Sequence, residues 1–467
     1  MGVFAGALLV LLLATGCSHA RSPVVAPAPR DQGSLIVYAL PFPPEAARLG
    51  FEIEGLSAVR DDGTLLPLSL DLADLSSESL SRERRLAEGG LPSGTYSGLS
   101  MTVSEATLGG GGGSAELQVP AEPVRIEAPF KADARHAVLL TLGIDYRASV
   151  EAGYRFTPRF TAGIPTSPAP DLIGLVSSRS SDTVVLFDKS SGLVAGIVPA
   201  GRRPTGITLD SERRRAYVAN AGDDTVQAIG LLEENVLDSL ILRSDDQPTE
   251  LALTPDGGTL LCVNSGSDSV SLIDAGTMVE TARLPVGSSP AYVLVDREGT
   301  RAWVFNSGES TLTVIDIAAR AVAGTVATDA GPIRGEFDRE GDVLYVAHRS
   351  SPNMTLVDPR SLSVTRRVYV GSGATALKVD SSTDRIYLAI RGTDTVDIYD
   401  RLSLLPADSI PVDGDVSYMA IDGEGYNLYL VLPAKKEVQV IRLVSKETVA
   451  RLDAGGNPYG VVLLGER

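Results

Sequence analysis

The most regularly spaced acidic side chains of this chain recur at multiples of about 42 residues, each after a short apolar segment. They are Asp188, Asp274, Asp316, Asp358 and Asp400. A repeated carboxylate could ligate a metal ion, but an aspartate at the end of a strand also accepts hydrogen bonds from the backbone N–H groups of the following turn. We expect the second role. The same interpretation applies to a second recurring polar set: Asn220, Asn264, Asn306 and His348.

Residues for nucleophilic, acid–base or metal chemistry are scarce. The chain holds three histidines and two cysteines, Cys17 and Cys262, among 467 residues. These counts exclude a disulfide framework, a zinc site built from cysteines and a haem attached through a C-x-x-C-H motif, and we expect no cofactor. Cys262 stands where valine stands at equivalent positions, so we expect it to be a buried free thiol.

A further set of residues stands two positions after a recurring proline-type marker: Gly206, Glu250, Tyr292, Arg334, Ala376, Tyr418 and Gly460. The residues three and five positions after the same marker are almost all apolar. Because side chains alternate between the two faces of a strand, the first set should lie opposite the apolar one. We hypothesise that Glu250, Tyr292, Arg334 and Tyr418 ring the mouth of a central channel and bind a ligand there.

Two charged residues four positions after the marker, Glu336 and Lys378, should pair deeper in that channel. The whole set contains no nucleophile beside a base, which indicates binding rather than turnover. The alternative is that these side chains only fill the channel with satisfied polar groups and water, because buried charges need partners whether or not a ligand comes.

Such regular spacing requires repeated structural elements. An apolar or aromatic residue returns in steps of 42 or 44 residues at seven positions: Leu175, Tyr217, Leu261, Trp303, Tyr345, Tyr387 and Tyr429. A second apolar marker and the proline-type marker keep the same register. A period of about 40–45 residues, with roughly four short strands in each unit, is typical of propeller blades. The pattern predicts an all-β chain with a seven-bladed β-propeller over residues 171–467.

The two ends of the repeated region should share one blade. The region begins with a second strand near residue 172 and ends, at 459–464, with a strand of the innermost type. We therefore expect 172–199 and 458–464 to form one blade, which closes the ring and covers its last open edges. Two extra residues between Val226 and Pro248 should lengthen the outer turn near 231–236.

The units resemble the YVTN family of bacterial β-propeller repeats. The resemblance rests on YVAN at 217–220 with DTV at 224–226, on TPDG at 254–257, and on VGSSP at 286–290. It weakens toward the end of the chain, where Ile390 replaces the recurring asparagine. The resemblance implies the propeller fold and says little about chemistry.

The segment 34–163 lacks the repeat and precedes a linker at 164–170. Its short alternating runs, bounded by Gly and Pro, predict a β-sandwich domain, with a hairpin tip at the five glycines 109–113 and a short helix within 76–88. The glycines lack the Lys-Ser/Thr ending of a phosphate loop. The segment LPSGTYSGL at 91–99 resembles uncharacterised secreted domains of prealbumin-like fold.

The N-terminus has the pattern of an export signal. The apolar stretch 3–14 is too short to span a membrane and fits the core of a signal peptide over 1–16. LATGC at 13–17 resembles a bacterial lipobox, which implies acylation of Cys17, such as palmitate, and with Ser18 an outer-membrane destination. Ala14 stands where Leu is usual, and ordinary secretion is the alternative. The Pro-rich segment 17–33 should be an extended tether.

Charge and composition restrict the possible functions. The net charge of −18 argues against nucleic acid and anionic membrane surfaces as partners. We expect a cell-envelope lipoprotein that is a non-catalytic binding or scaffold module for an unknown protein or small molecule and touches the membrane through its anchor. The alternative is a propeller enzyme, lactonase-like or quinone-dependent dehydrogenase-like, with its site at the channel mouth. The single Trp speaks against the quinone type and against a carbohydrate binder.

Overall fold

The chain folds into two all-β units, a small sandwich followed by a propeller. The computed structural model describes residues 32–110, 113–424 and 426–465. The expected signal peptide, Cys17 and most of the tether therefore lie outside the described residues. Within them, no helix has the length and apolar character to cross a membrane.

The described residues of the sandwich form thirteen strands, most of them short. In chain order they are β1 Gln32–Ala39, β2 Leu49–Arg60, β3 Leu65–Pro67, β4 Ser69–Leu70, β5 Asp74–Ser76, β6 Arg84–Pro92, β7 Gly94–Gly110, β8 Gly113–Glu116, β9 Val124–Ala132, β10 Ala137–Ile144, β11 Val150–Glu151, β12 Arg155–Phe156 and β13 Phe160–Gly163. Among the described residues, the helical segments are α1 Tyr146–Ser149 and the 3-10 turns Pro44–Ala46, Pro170–Leu172 and Pro433–Lys435.

Two sheets enclose the core of this domain, as predicted. One has the order β13-β10-β1-β6-β4, and the other joins β2 and β7 to β3, β5, β8 and β9. Alternate residues of the two sheets, such as Leu35, Phe51 and Leu99, share one apolar cluster. The glycine segment forms a hairpin in which Gly110 pairs with Gly113.

The predicted helix within 76–88 is wrong. The segment forms a turn and then β6, which pairs along β1 and against β4. Leu86 and Ala87 are buried there by sheet neighbours far away in sequence. This tertiary pairing outweighs the polar and charged composition that suggested a helix.

The propeller, over the part of it that the structure describes, contains twenty-eight strands. In chain order they are β14 Ile173–Ser178, β15 Thr183–Asp188, β16 Leu193–Pro199, β17 Pro204–Asp210, β18 Arg215–Asn220, β19 Thr225–Gly230, β20 Asn235–Ile241, β21 Pro248–Leu253, β22 Thr259–Asn264, β23 Ser269–Asp274, β24 Val279–Pro285, β25 Pro290–Val295, β26 Arg301–Asn306, β27 Thr311–Asp316, β28 Ala321–Ala327, β29 Pro332–Phe337, β30 Leu344–His348, β31 Asn353–Asp358, β32 Ser363–Tyr369, β33 Ala374–Val379, β34 Ile386–Ile390, β35 Thr395–Tyr399, β36 Pro406–Pro411, β37 Tyr418–Ile421, β38 Asn427–Leu432, β39 Glu437–Arg442, β40 Glu447–Asp453 and β41 Pro458–Leu463.

These strands form seven antiparallel blades, which confirms the predicted fold. Blades 1 to 6 each use four consecutive strands, beginning with β17–β20 and ending with β37–β40. Blade 7 combines β41 with β14, β15 and β16. The innermost strands β17, β21, β25, β29, β33, β37 and β41 contact one another in a closed ring. Apolar clusters between neighbouring blades form the core.

The predicted closure between the two ends of the propeller is present. β41 pairs antiparallel with β14, so that Gly174 lies opposite Leu463 and Val176 opposite Val461. The side chains of Val461 and Leu463 are buried among residues of blades 6 and 7.

Removing residues 458–467 should destabilise the whole propeller. Burial of each Val or Leu side chain contributes about 1.5–3 kcal/mol, so the loss of β41 is comparable to the stability of a typical domain. We expect insoluble or protease-sensitive protein, measured by limited proteolysis and circular dichroism. Deletion of residues 466 and 467 alone is the matched control. If the chain without residues 458–467 has the same melting temperature as the control, closure of the propeller by β41 is refuted.

The two extra residues of the second unit do not lengthen the outer turn. The turn 231–234 has the same four residues as its counterpart 275–278, whereas the loop 242–247 before β21 has six residues and its counterpart 286–289 has four. The longer loop buries Asp246, whose carboxylate lies 2.7 Å from Arg283 in an ion pair. The insertion is accommodated at the loop between blades because it leaves the hairpin pairing undisturbed.

The recurring aspartates bind turn amides, as expected. The carboxylates of Asp188, Asp274, Asp316, Asp358 and Asp400 each accept a backbone N–H at 2.8 Å from two or three residues later. No group of His, Cys, Asp and Glu suited to a metal ion occurs among the described residues. Asn264 donates to the hydroxyls of Ser269 and Ser271 on the next strand, and Cys262 is a buried free thiol.

Candidate functional site

A β-bulge at the start of several innermost strands positions the candidate ring. In β21, Pro248 pairs with Asn264 but Glu250 pairs with Val263, so Thr249 is an extra residue. The same irregularity precedes Tyr292 in β25 and Arg334 in β29. A bulge re-aims the side chain that follows it. Blades 2, 3 and 4 thereby place Glu250, Tyr292 and Arg334, while in blade 6 Tyr418 begins β37 opposite Val431 without a register shift.

Arg334 lies at the centre of this arrangement. Its guanidinium carbon is 4.6 Å from the ring centroid of Tyr292 and 4.1 Å from that of Tyr418. One of its nitrogens is 3.7 Å from a carboxylate oxygen of Glu250. The structure thus brings together Glu250, Tyr292, Arg334 and Tyr418 from blades 2, 3, 4 and 6. Each aromatic contact with a desolvated guanidinium contributes on the order of 1–2 kcal/mol.

Glu336 and Lys378 form the second predicted group. They lie on adjacent innermost strands, β29 and β33, and their charged atoms are 3.6 Å apart. Lys378 is buried, so this ion pair offsets part of the cost of removing its ammonium group from water. The predicted pairing is confirmed.

Burial dominates the electrostatics of Glu250. The side chain is 1 % exposed, and burial raises the pKa of its carboxyl to about 7 although the Arg334 charge and the Leu251 N–H favour the ionised form. Burial alone would lower the pKa of Arg334, but Tyr418, Tyr292 and Glu250 outweigh it and the pKa lies above its usual range. Arg334 therefore stays charged while Glu250 exchanges its proton near neutral pH.

The repeat and the ring can now be compared with known proteins. A model described as YNCE-like beta-propeller matches residues 167–466. The chain belongs to the YNCE-like beta-propeller family. This agrees with the bacterial propeller that the sequence predicted. No curated protein matches the chain.

Three solved structures show how far the YNCE-like propeller resembles known folds. Hydrazine synthase of Kuenenia stuttgartiensis is 23% identical, with a TM-score of 0.50 over 55% of this chain and 88% of that one. A functionally unknown protein of Desulfotomaculum acetoxidans DSM 771 is 14% identical, with a TM-score of 0.55 over 62% and 98%. The dihydro-heme d1 dehydrogenase NirN, solved with DHE, is 14% identical, with a TM-score of 0.51 over 64% and 76%. These likenesses show the fold.

Two ring residues of the YNCE-like propeller were missed by the sequence analysis. Tyr459 is the second residue of β41, and Arg179 directly follows β14, with its guanidinium carbon 3.9 Å from the Tyr459 ring centroid. Burial, together with the negative charge of Glu250, raises the pKa of Tyr459 to about 12. The positive charges of Arg334, Arg179 and Arg349 oppose this shift. Arg179 and Arg349 occupy the same position in their units, which is a signal that alignment of the repeats could have shown.

Two guanidinium groups and one fully buried carboxylate meet at the tyrosines of the ring. Arg179 and Arg334 both lie near Tyr459, and the structure pairs Arg334 with one carboxylate, that of Glu250. The Nε atom of Arg179 is buried without a hydrogen-bond partner in the described part of the chain. Burial also lowers the pKa of Arg179, with Arg203 acting in the same direction. A guanidinium with an unused buried donor favours a negatively charged or hydrogen-bond-accepting ligand.

The nearest imidazole is unsuited to acid–base work at neutral pH. His348 is fully buried at the end of β30, and burial lowers its pKa to about 4. Its Nε2 atom lies 2.9 Å from the hydroxyl of Thr355. A cavity of about 240 Å³ lined by Asp210, Glu212 and Pro255 lies at the opposite ends of β17 and β21, away from the ring.

Replacing Glu250 by Gln should flatten the pH dependence of stability. The folded-state pKa of about 7 exceeds the ordinary 4.5, so the fold binds the Glu250 proton more tightly than the unfolded chain does. The resulting contribution to the unfolding free energy is fully present below pH 4.5 and is lost as the pH rises through 7. The difference in unfolding free energy between wild type and Glu250→Gln should change by up to about 3 kcal/mol across this window. Urea unfolding from pH 4.5 to 8 measures it. If the unfolding free energies of wild type and Glu250→Gln change with pH in parallel, the raised pKa of Glu250 is contradicted.

Proposed function

We propose that this chain is a cell-envelope lipoprotein whose YNCE-like propeller binds an anionic ligand, or an acidic group of a partner protein, without turning it over. The observation that carries the proposal is the arginine–tyrosine ring: Arg334 held between two tyrosines, and Arg179 on a third. The ring is defined by Arg179, Glu250, Tyr292, Arg334, Tyr418 and Tyr459.

The ring is built before any ligand arrives. Arg334 is 8 % exposed and is restrained on both faces by aromatic rings, so little side-chain freedom remains to be lost on binding. Glu250 can accept or release a proton near neutral pH, which lets the ring adjust its charge to the ligand. A guanidinium fork matches carboxylate and phosphate geometry.

Binding is favoured over catalysis by the side chains at hand. Among the described ring residues, no serine, cysteine or histidine lies beside a base, and such a pair is what nucleophilic catalysis requires. The likeness to hydrazine synthase and to the dehydrogenase NirN is one of fold. Fold alone does not transfer an activity, so the enzyme alternative ranks second.

The double variant Arg334→Ala, Tyr292→Ala should abolish binding of any carboxylate or phosphate compound that raises the melting temperature of the wild type. A thermal-shift screen of such compounds, followed by titration calorimetry, measures this. Arg283→Ala is the matched control, because it removes a buried, ion-paired arginine from another part of the propeller. Unchanged affinity in the double variant would move the site away from the ring.

Anchoring is proposed from the lipobox-like segment that ends at Cys17. The mature protein should begin at Cys17 and carry acyl chains, since two or more chains hold a protein at a membrane far more firmly than one. Mass spectrometry of the membrane fraction measures the modification, and Cys17→Ser should shift the protein to the soluble fraction. An unmodified soluble wild type cleaved elsewhere would refute the anchor.

A further inference from the structure

The sandwich packs directly against the outer edge of the propeller. Ile36, Tyr38 and Leu139 share an apolar cluster with residues of blades 6 and 7, including Val194 and Leu452. The Tyr38 hydroxyl donates to the carbonyl of Asp453 at 3.1 Å. Arg84 forms an ion pair with the Asp453 carboxylate at 2.9 Å.

A cavity of about 290 Å³ opens beside this interface. Its walls come from the sandwich, the linker and the outer hairpin of blade 7: Leu40, Glu83, Thr141, Pro165, Thr166, Asp188, Ser191, Leu193, Val194 and Ala195. The volume is at the lower end of the range for small-molecule sites, which often lie between domains.

Among the residues that line this cavity, Glu83 is a buried carboxylate. Its side chain is buried, at 4 % exposure, and one carboxylate oxygen accepts the Val194 N–H at 2.8 Å. The other oxygen, Oε1, is buried and has no hydrogen-bond partner within the described ranges. Burial raises the pKa of Glu83 to about 7, and the negative charge of Asp453 adds to the effect.

The other residues that line the cavity indicate which kind of ligand would fit it. Asp188 adds a second carboxylate, whose oxygens accept hydrogen bonds from Ser190 and Ser191. Most other walls, such as Leu40, Pro165 and Leu193, are apolar. A buried carboxylate in such surroundings is stabilised by a cation that also donates a hydrogen bond. The complementary molecule has an ammonium head and a short aliphatic body.

We propose that the interdomain cavity binds a small primary amine in its ammonium form, with the ammonium group pairing with the Glu83 carboxylate and the aliphatic body lying on the apolar walls. Since sandwich, linker and propeller all contribute walls, the bound amine ties the two units together. This site is separate from the ring, which is built around two arginines.

The test uses n-butylammonium as the probe and 1-butanol as its neutral counterpart, with ligand-observed NMR titration of the purified full chain. We expect butylammonium to bind at least tenfold more tightly than butanol, because a hydrogen bond to a buried charged group contributes about 1.5–3 kcal/mol. Glu83→Gln should weaken butylammonium binding at least tenfold, while Glu88→Gln on β6, the strand that follows Glu83, should leave it unchanged.

Three outcomes would overturn the proposal: equal affinity for amine and alcohol, equal affinity in wild type and Glu83→Gln, or no binding of butylammonium at 100-fold excess over protein (roughly millimolar). The comparison of amine with alcohol needs no variant, so it decides even if Glu83→Gln fails to fold. The double variant Arg334→Ala, Tyr292→Ala should retain butylammonium binding, which separates a failure here from a failure at the ring.

Discussion

The antiparallel pairing of β14 with β41 is the constraint on which the rest of the propeller depends. A blade cannot bury both of its faces alone, so an open ring would expose the faces of blades 6 and 7 and two sheet edges. The ring of polar residues depends on the same closure. Arg334 in blade 4 reaches Tyr418 in blade 6, and Arg179 and Tyr459 meet within blade 7, across the joined ends of the propeller.

The sandwich adds to this closure from outside. It packs against β40 and β16, the outer strands of the neighbouring blades 6 and 7. Outer strands carry unpaired backbone groups, and one of these, the Val194 N–H, is bound by Glu83 of the sandwich. The first domain therefore covers the least continuous part of the propeller, and separation of the two units would expose apolar surface and a sheet edge together.

The parts of this structure that repeat with the 42-residue period could be predicted from the sequence. The parts without a period could not. Three markers in register over seven units predicted the blades, and strand alternation predicted that Glu250, Tyr292, Arg334 and Tyr418 would ring the channel mouth. Tyr459 was missed because it stands one position after the marker Pro458, whereas the predicted set was taken two and four positions after it. The packing of Tyr38 on Asp453 joins residues 415 positions apart and leaves no local pattern.

Net charge is a poor guide to the potential inside the channel. The chain has 59 acidic and 41 basic residues, but the aspartates around the mouth are engaged by backbone: Asp182, Asp224 and Asp268 accept N–H groups of neighbouring loops. A long polyanion would meet these carboxylates and be repelled.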